Sequence, residues 1–299
     1  MSLRPVLAGV AALLAVALTS SAPLLAQAPA HVPSPAPDAA SPAEDAPAGA
    51  LPGDPDDTLP IPPVPPRIAE GTQYEACLDM LATDPSGADA LAASMAAASG
   101  SHGEGREAAA HCHALAQVEL GNTEAGAALL DQLAATSTAA AVSRAVVFAQ
   151  ANQAWTMAGR TDQAYASASQ ALALSPDDPE LRIGHAIAAL ARQLYAVADD
   201  DLSHALAMDP KRADALILRA TARRNLGQLD GARVDIDAAA ALDPDNPDLL
   251  LERGIIRQRL GDLAGARGDW QRAVELAPDT ATGDLAQQNL ALLEAGPRQ

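Results

Sequence analysis

The sequence predicts an all-α protein built from a repeated pair of helices. Composition comes first: aromatics are 2% of a chain that is 49% hydrophobic. Alanine supplies much of that apolar content. It is the best helix former and adds little bulk, so it suits helices that approach closely. Strands draw on Val, Ile and aromatics, which are scarce here. Second, Pro176, Pro210, Pro244 and Pro278 stand 34 residues apart. Third, the text around them recurs: "LALSPDDPEL", "LAMDPKRADA", "ALDPDNPDLL" and "ELAPDTATGD".

The first element is an address. "MSLRPVLAGVAALLAVALTSSAPLLAQA" has one positive side chain, Arg4, then an apolar run from Val6 to Leu18, then an A-x-A site at Ala26 to Ala28. That order is the pattern of a secretory signal peptide, expected over residues 1–26. Cleavage after Ala26 is favoured, because a cut after Ala28 would leave Pro29 next to it. The clean apolar run, about 13 residues, is short of the ~20 that span a bilayer. The expectation is export to the periplasm, or secretion, without membrane insertion after cleavage. An uncleaved anchor is the alternative. Residues 27–66 are rich in Pro and Ala, with acids but no base before the segment ends. So many prolines predict an extended tether.

Residues 67–142 read as helices of less regular pattern. Residues 68–99 predict two, divided at Asp84-Pro85, with "GSHGEGRE" as a loop after them. Residues 113–135 carry a Leu120-Gly121 turn with apolar spacing on both sides.

Residues 143–278 hold four units in one register. Ala164, Ala198, Ala232 and Ala266 align, as do Ala171, Ala205, Ala239 and Ala273. Asn152, Ala186, Ala220 and Gly254 form a small column. Gly159, Gly227 and Gly261 form a turn column, in which Gln193 is the exception. A larger column holds Ala168, Leu202, Ile236 and Trp270. The small columns let two helices of a unit pack closely. The glycine permits a turn that side chains resist, and the proline ends the second helix. This period and these columns resemble the tetratricopeptide repeat, a helix–turn–helix unit. The resemblance implies a right-handed α-solenoid. It makes 113–135 part of a degenerate fifth unit, and it makes 279–296 the closing helix that such arrays need.

Arg219 and Asp235 occupy the same repeat positions as Arg253 and Asp269, and His185 and Asp201 stand there one unit earlier. Each pair is expected to bridge the two helices of its unit. A catalytic reading of His185 and Asp201 finds no nucleophile in the nearby sequence. Cys77 and Cys112 are the two cysteines, and an exported chain favours a disulfide between them. Closing that loop stabilises by ~3–4 kcal/mol in the chain-entropy treatment. The "HCH" run at 111–113 is not expected to hold a metal, because adjacent residues on a helix point about 100° apart. His31, His102 and His204 are scattered. No cofactor is expected, and the common motifs of hydrolases, zinc proteases and nucleotide-binding loops are absent from the sequence.

The charge of −19, from 38 acids and 19 bases, opposes nucleic acid as a partner. The resemblance implies another protein or peptide, held on a concave surface lined by the first helix of each unit. Counting along those helices gives Gln150 and Gln153, Ile183 and Ile187, then Ile217, Thr221, Arg224 and Asn225, then Leu251, Ile255 and Arg259. A partner with apolar anchors and a carboxylate fits that mixture. The Lys/Asn pattern with which some members of the family clamp a chaperone's C-terminal carboxylate is missing. A structural or self-associating element without a groove is the alternative.

Overall fold

The structure, a computed structural model, describes residues 67–99 and 103–296. The expected signal peptide and tether lie outside those residues, as do His31 and His102. Thirteen helices and no strand occur among the described residues. They are α1 (Thr72–Met80), α2 (Pro85–Ala98), α3 (Glu104–Glu119), α4 (Thr123–Thr136), α5 (Ala141–Met157), α6 (Thr161–Leu174) and α7 (Pro179–Ala191). Then come α8 (Tyr195–Met208), α9 (Ala213–Asn225), α10 (Leu229–Leu242), α11 (Pro247–Arg259), α12 (Leu263–Leu276) and α13 (Ala281–Ala295). Each helix packs on its successor, and odd-numbered neighbours also touch, as α5 does α7 and α9 does α11. The described unit is therefore an α-solenoid of helical hairpins. The odd helices through α11 are the first members, here called helix A, and the even ones are helix B.

Local chemistry sets the ends. Asp84 caps α2 by accepting from Gly87 N at 2.8 Å, with Pro85 at the first helical position. Asp178 accepts from Glu180 N at 2.9 Å and Leu181 N at 3.2 Å to begin α7. Asn246 does the same for α11 through Leu249 N, at 3.1 Å. Each cap satisfies amides that the helix itself leaves unpaired. Pro176, Pro210, Pro244 and Pro278 all lie in the joints between helix B and the next helix A. One boundary differs from expectation. The "GSHGEGRE" stretch is not a loop throughout, because α3 begins at Glu104. Gly103, at φ 121°, turns the chain just before it, and the residues that follow are competent helix formers.

The turn between helices A and B needs a left-handed residue. Gly121, Gly159, Gly227 and Gly261 fill it at φ between 71° and 89°. Gln193 takes the same conformation, at φ 60°. A side chain there costs roughly 1–2 kcal/mol.

The small and large columns meet inside each pair. A Cβ on Gly254 would lie 2.6 Å from Trp270 Cδ1, so only glycine fits opposite that indole. Trp270 is fully buried and donates its Nε1 proton to the Leu251 carbonyl at 3.1 Å. One unit earlier the same two positions hold Ala220 and Ile236, both fully buried. The sum of the two volumes is what the hairpin constrains.

Replacing Gln193 with glycine should stabilise the protein by about 1 kcal/mol, read as a higher urea midpoint. Gly254→Ala should cost about 1–3 kcal/mol through overpacking. Combined with Trp270→Ile it restores the Ala220–Ile236 arrangement. Urea titrations should then find the double variant at least ~1 kcal/mol better than the sum of the single losses.

Candidate functional site

A polar seam joins helix A to helix B in the C-terminal units. Arg219 Nε and Nη2 donate to the two oxygens of Asp235 at 3.0 and 2.7 Å. One unit on, Arg253 grips Asp269 in the same fork at 3.0 and 2.6 Å. Both carboxylates are almost wholly buried. A second arginine, one helical turn on, completes each site: Arg223 reaches Asp235 at 2.8 Å and Arg257 reaches Asp269 at 2.6 Å. Sequence reasoning missed Arg223 and Arg257. Their signal was present, since residues four apart share a helix face. Removing one partner of such a pair costs far more than the pair contributes, because it strands a buried charge.

The same register carries the ring of His185. Its Nδ1 lies 2.6 Å from Asp201 Oδ2, and Arg182 approaches the other oxygen at 3.4 Å. Contrary to the sequence reading, a hydroxyl is near: Ser169 Oγ lies 3.1 Å from His185 Nε2. Ser, His and Asp in line invite a catalytic interpretation. Two observations favour a structural one. Ser169 sits inside α6 and donates its proton to the Tyr165 carbonyl at 2.7 Å, and the amides around it are spent on the helix. That leaves no backbone donor for an oxyanion. One unit later Ser203, Arg219 and Asp235 form the equivalent line, with Arg219 Nη1 donating to Ser203 Oγ at 3.2 Å. An arginine there is a clamp and not a base.

From Gly159 onward, pairs, turns and seams thus recur at 34 residues, each unit a helix–turn–helix. The fold is that of the tetratricopeptide repeat. No protein-family model matches the chain, and no curated protein matches it. Among solved structures it is similar to YrrB, a TPR protein with an unusual peptide-binding site: 17% identity, TM-score 0.48, 62% of this chain and 91% of that one. It is similar to a crystal structure of MamA at 14% identity and TM-score 0.48, over 55% of this chain and 94% of that one. It is also similar to the first TPR of Spaghetti (RPAP3) bound to an HSP90 peptide, at 26% identity and TM-score 0.37, over 39% of this chain and 93% of that one.

The expected binding residues divide once the repeats are packed. Gln150, Gln153, Ile187, Asn225 and Ile255 keep part of their surface, and Arg259 is exposed. Ile183, Ile217, Thr221, Arg224 and Leu251 are buried, which corrects the expectation that they line an open surface. The isoleucines and Leu251 pack between units, and Thr221 donates to the Ile217 carbonyl at 3.1 Å. Arg224 is the largest correction. Its Nε donates to Glu252 Oε1 at 2.5 Å and its Nη2 to Oε2 at 3.2 Å, and Glu252 is fully buried. That arginine is already occupied by the chain's own carboxylate.

At the other end, Cys77 and Cys112 form a disulfide with Cα atoms 6.2 Å apart, tying α1 to α3. The residues of the "HCH" run diverge. His113 Nδ1 meets Asp89 at 2.5 Å, whereas His111 is buried between Tyr74 and Gln150. Tyr74 donates its hydroxyl to His111 Nδ1 at 2.5 Å, and His111 Nε2 donates to Gln150 Oε1 at 2.7 Å. Burial pushes the imidazole down to about 4, against the pull of the Gln150 hydrogen bond. The same burial raises the Tyr74 phenol, which stays a donor.

In the unfolded chain His111 takes a proton near pH 6.5. Between about 6.5 and 4 only the unfolded state is protonated there, so stability falls as pH drops through that window, by up to ~3 kcal/mol. His111→Gln removes the titration and keeps an amide between the same partners. Its urea midpoint should fall less than that of the parent between pH 7 and 4.5.

Proposed function

We propose that this protein is an exported adaptor that holds a protein partner, as an extended segment, on its helix-A face. The supporting observation is Arg259. It is exposed at the end of α11, and its one hydrogen bond among the described residues goes to the backbone oxygen of Arg224, at 3.4 Å. It has no carboxylate partner among the described residues. Partial desolvation, then the neighbouring Arg224 charge, lower its pKa, and the Glu252 carboxylate behind Arg224 offsets them only in part. An arriving carboxylate offsets both effects by charge and hydrogen bonding. The half-buried Ile187 and Ile255 supply apolar contact on the same set of helices. Such a face receives an extended chain through side-chain anchors and polar ends.

Export rests on the N-terminal pattern and agrees with a disulfide, since such bonds persist in oxidising compartments. None of the described helices is long and apolar enough to cross a membrane.

Arg224 is unsuitable for testing this reading, because Arg224→Glu would set two carboxylates face to face in the core. Arg259→Glu is the informative change. Crosslinking in the native envelope, with the captured protein identified, should lose that protein by about tenfold or more in Arg259→Glu. The unfolding midpoint should stay unchanged. Equal capture by the variant overturns the reading. Self-association with no second protein recovered would favour a structural element.

A further inference from the structure

The N-terminal helices carry a cleft that the helix-A face does not use. It has a volume of about 470 Å³ and runs along α3 and α4. His111 and His113 stand two residues apart on α3 and so lie on nearly opposite sides of it. His111 meets Gln150 of α5, whereas His113 lines the cleft. The cleft is therefore a surface distinct from the one proposed above. Its floor is apolar, made by Ala110 of α3 with Leu129 and Leu133 of α4.

Three polar groups along the cleft share one property: the hydrogens they could donate are already spent. The Asp89 carboxylate can only accept, so the His113 proton sits on Nδ1, 2.5 Å from it, and Nε2 keeps a lone pair. Gln117 donates to the other Asp89 oxygen at 3.3 Å, which holds that carboxylate in place. His113 Nε2 has no partner among the described residues, and its side chain is 45% exposed. Thr136 donates its hydroxyl to the Gln132 carbonyl at 2.8 Å, so toward the cleft it can only accept. Glu107 receives the Thr138 amide on Oε1 at 3.2 Å, and its Oε2 remains as an acceptor.

Charge points the same way. Arg106 is the one permanent cation in the lining. Against it stand Glu107 and, behind the imidazole, Asp89. The chain as a whole carries −19, and such a field concentrates cations at its surface.

We propose that this cleft binds a primary alkylammonium group, carried by a lysine side chain of another protein or by a free amine. The methylenes lie on Ala110, Leu129 and Leu133. The ammonium, which has only protons to offer, donates among Glu107, His113 and Thr136. A carboxylate on the same stem meets lone pairs and the Glu107 charge. A neutral chain leaves the acceptors without donors. The site does not depend on the helix-A reading and stands if that reading fails.

The probes are Nα-acetyl-lysine methylamide, its neutral norleucine and anionic glutamate counterparts, and n-pentylamine. Titrations of the full disulfide-bonded protein are followed through the methyl NMR signals of Ala110, Leu129 and Leu133. An amine should saturate these shifts with a Kd on the order of a millimolar. The norleucine and glutamate derivatives should bind about tenfold more weakly or not at all. Glu107→Gln keeps a carbonyl for the Thr138 amide, and His113→Phe keeps a ring without an acceptor. Each should weaken the amine about fivefold and leave Tm within about 2 °C. Saturation by the lysine derivative makes a protein side chain the occupant, and saturation by pentylamine alone makes it a free amine. Equal affinity in both variants overturns the site. So does a glutamate or norleucine derivative that binds as tightly as the lysine one, or the absence of saturable shifts with either amine.

Discussion

Close approach between paired helices is the constraint on which the other features of this structure depend. A hairpin this short cannot shelter an apolar face made of large residues, and most of its core positions are alanine. Alanine contributes little area per residue. The compensation is proximity: Gly254 lets the Trp270 ring lie against the backbone of α11, and Ala220 does the same for Ile236. Proximity in turn fixes the turn. Two helices held this close leave room for only a short reversal, and the left-handed residue at 121, 159, 193, 227 and 261 provides it. Gln193 accepts strain there because the packing on either side over-determines its conformation.

Proximity also decides where charges can go. A guanidinium fork between α9 and α10, or between α11 and α12, is desolvated on both sides and therefore selective for one register. Sliding either helix would leave an aspartate stranded, which is a large penalty, whereas the correct register gains little. The seam thus favours one pairing of helices more than it adds to stability. Placing His185 at the same position yields the Ser169–His185–Asp201 line by the same logic. Catalysis would need donors for developing negative charge, and a helix interior spends its amides on itself. Comparison with the arginine-bearing unit separates the two interpretations where distance alone could not.

The proposed binding face is what remains once these demands are met. Seam positions between successive helix A members are filled by an amide, a leucine and a carboxylate in turn. At α5–α7 that position is a glycine, Gly184, and at the end of α11 a cation is left over. The N-terminal end is built differently: the disulfide and the Tyr74–His111–Gln150 relay hold α1 and α3 together there, where the repeat register fades.

Periodicity by itself determined the helical hairpin, the positions of its turns and joints, and the Arg219–Asp235 and Arg253–Asp269 couples. Those features repeat because each unit solves the same local packing problem, and repetition is what a single sequence displays. The division of the helix-A residues was not legible in it. Arg224 and Arg259 look alike along the chain, yet one is sealed against Glu252 and the other stands open. His111 and His113 flank one cysteine, yet one is sealed against Gln150 and the other lines a cleft. Exposure and partnership at these positions depend on contacts between units, across distances in sequence where no local rule of helix or turn applies. Only the stacked structure could decide them.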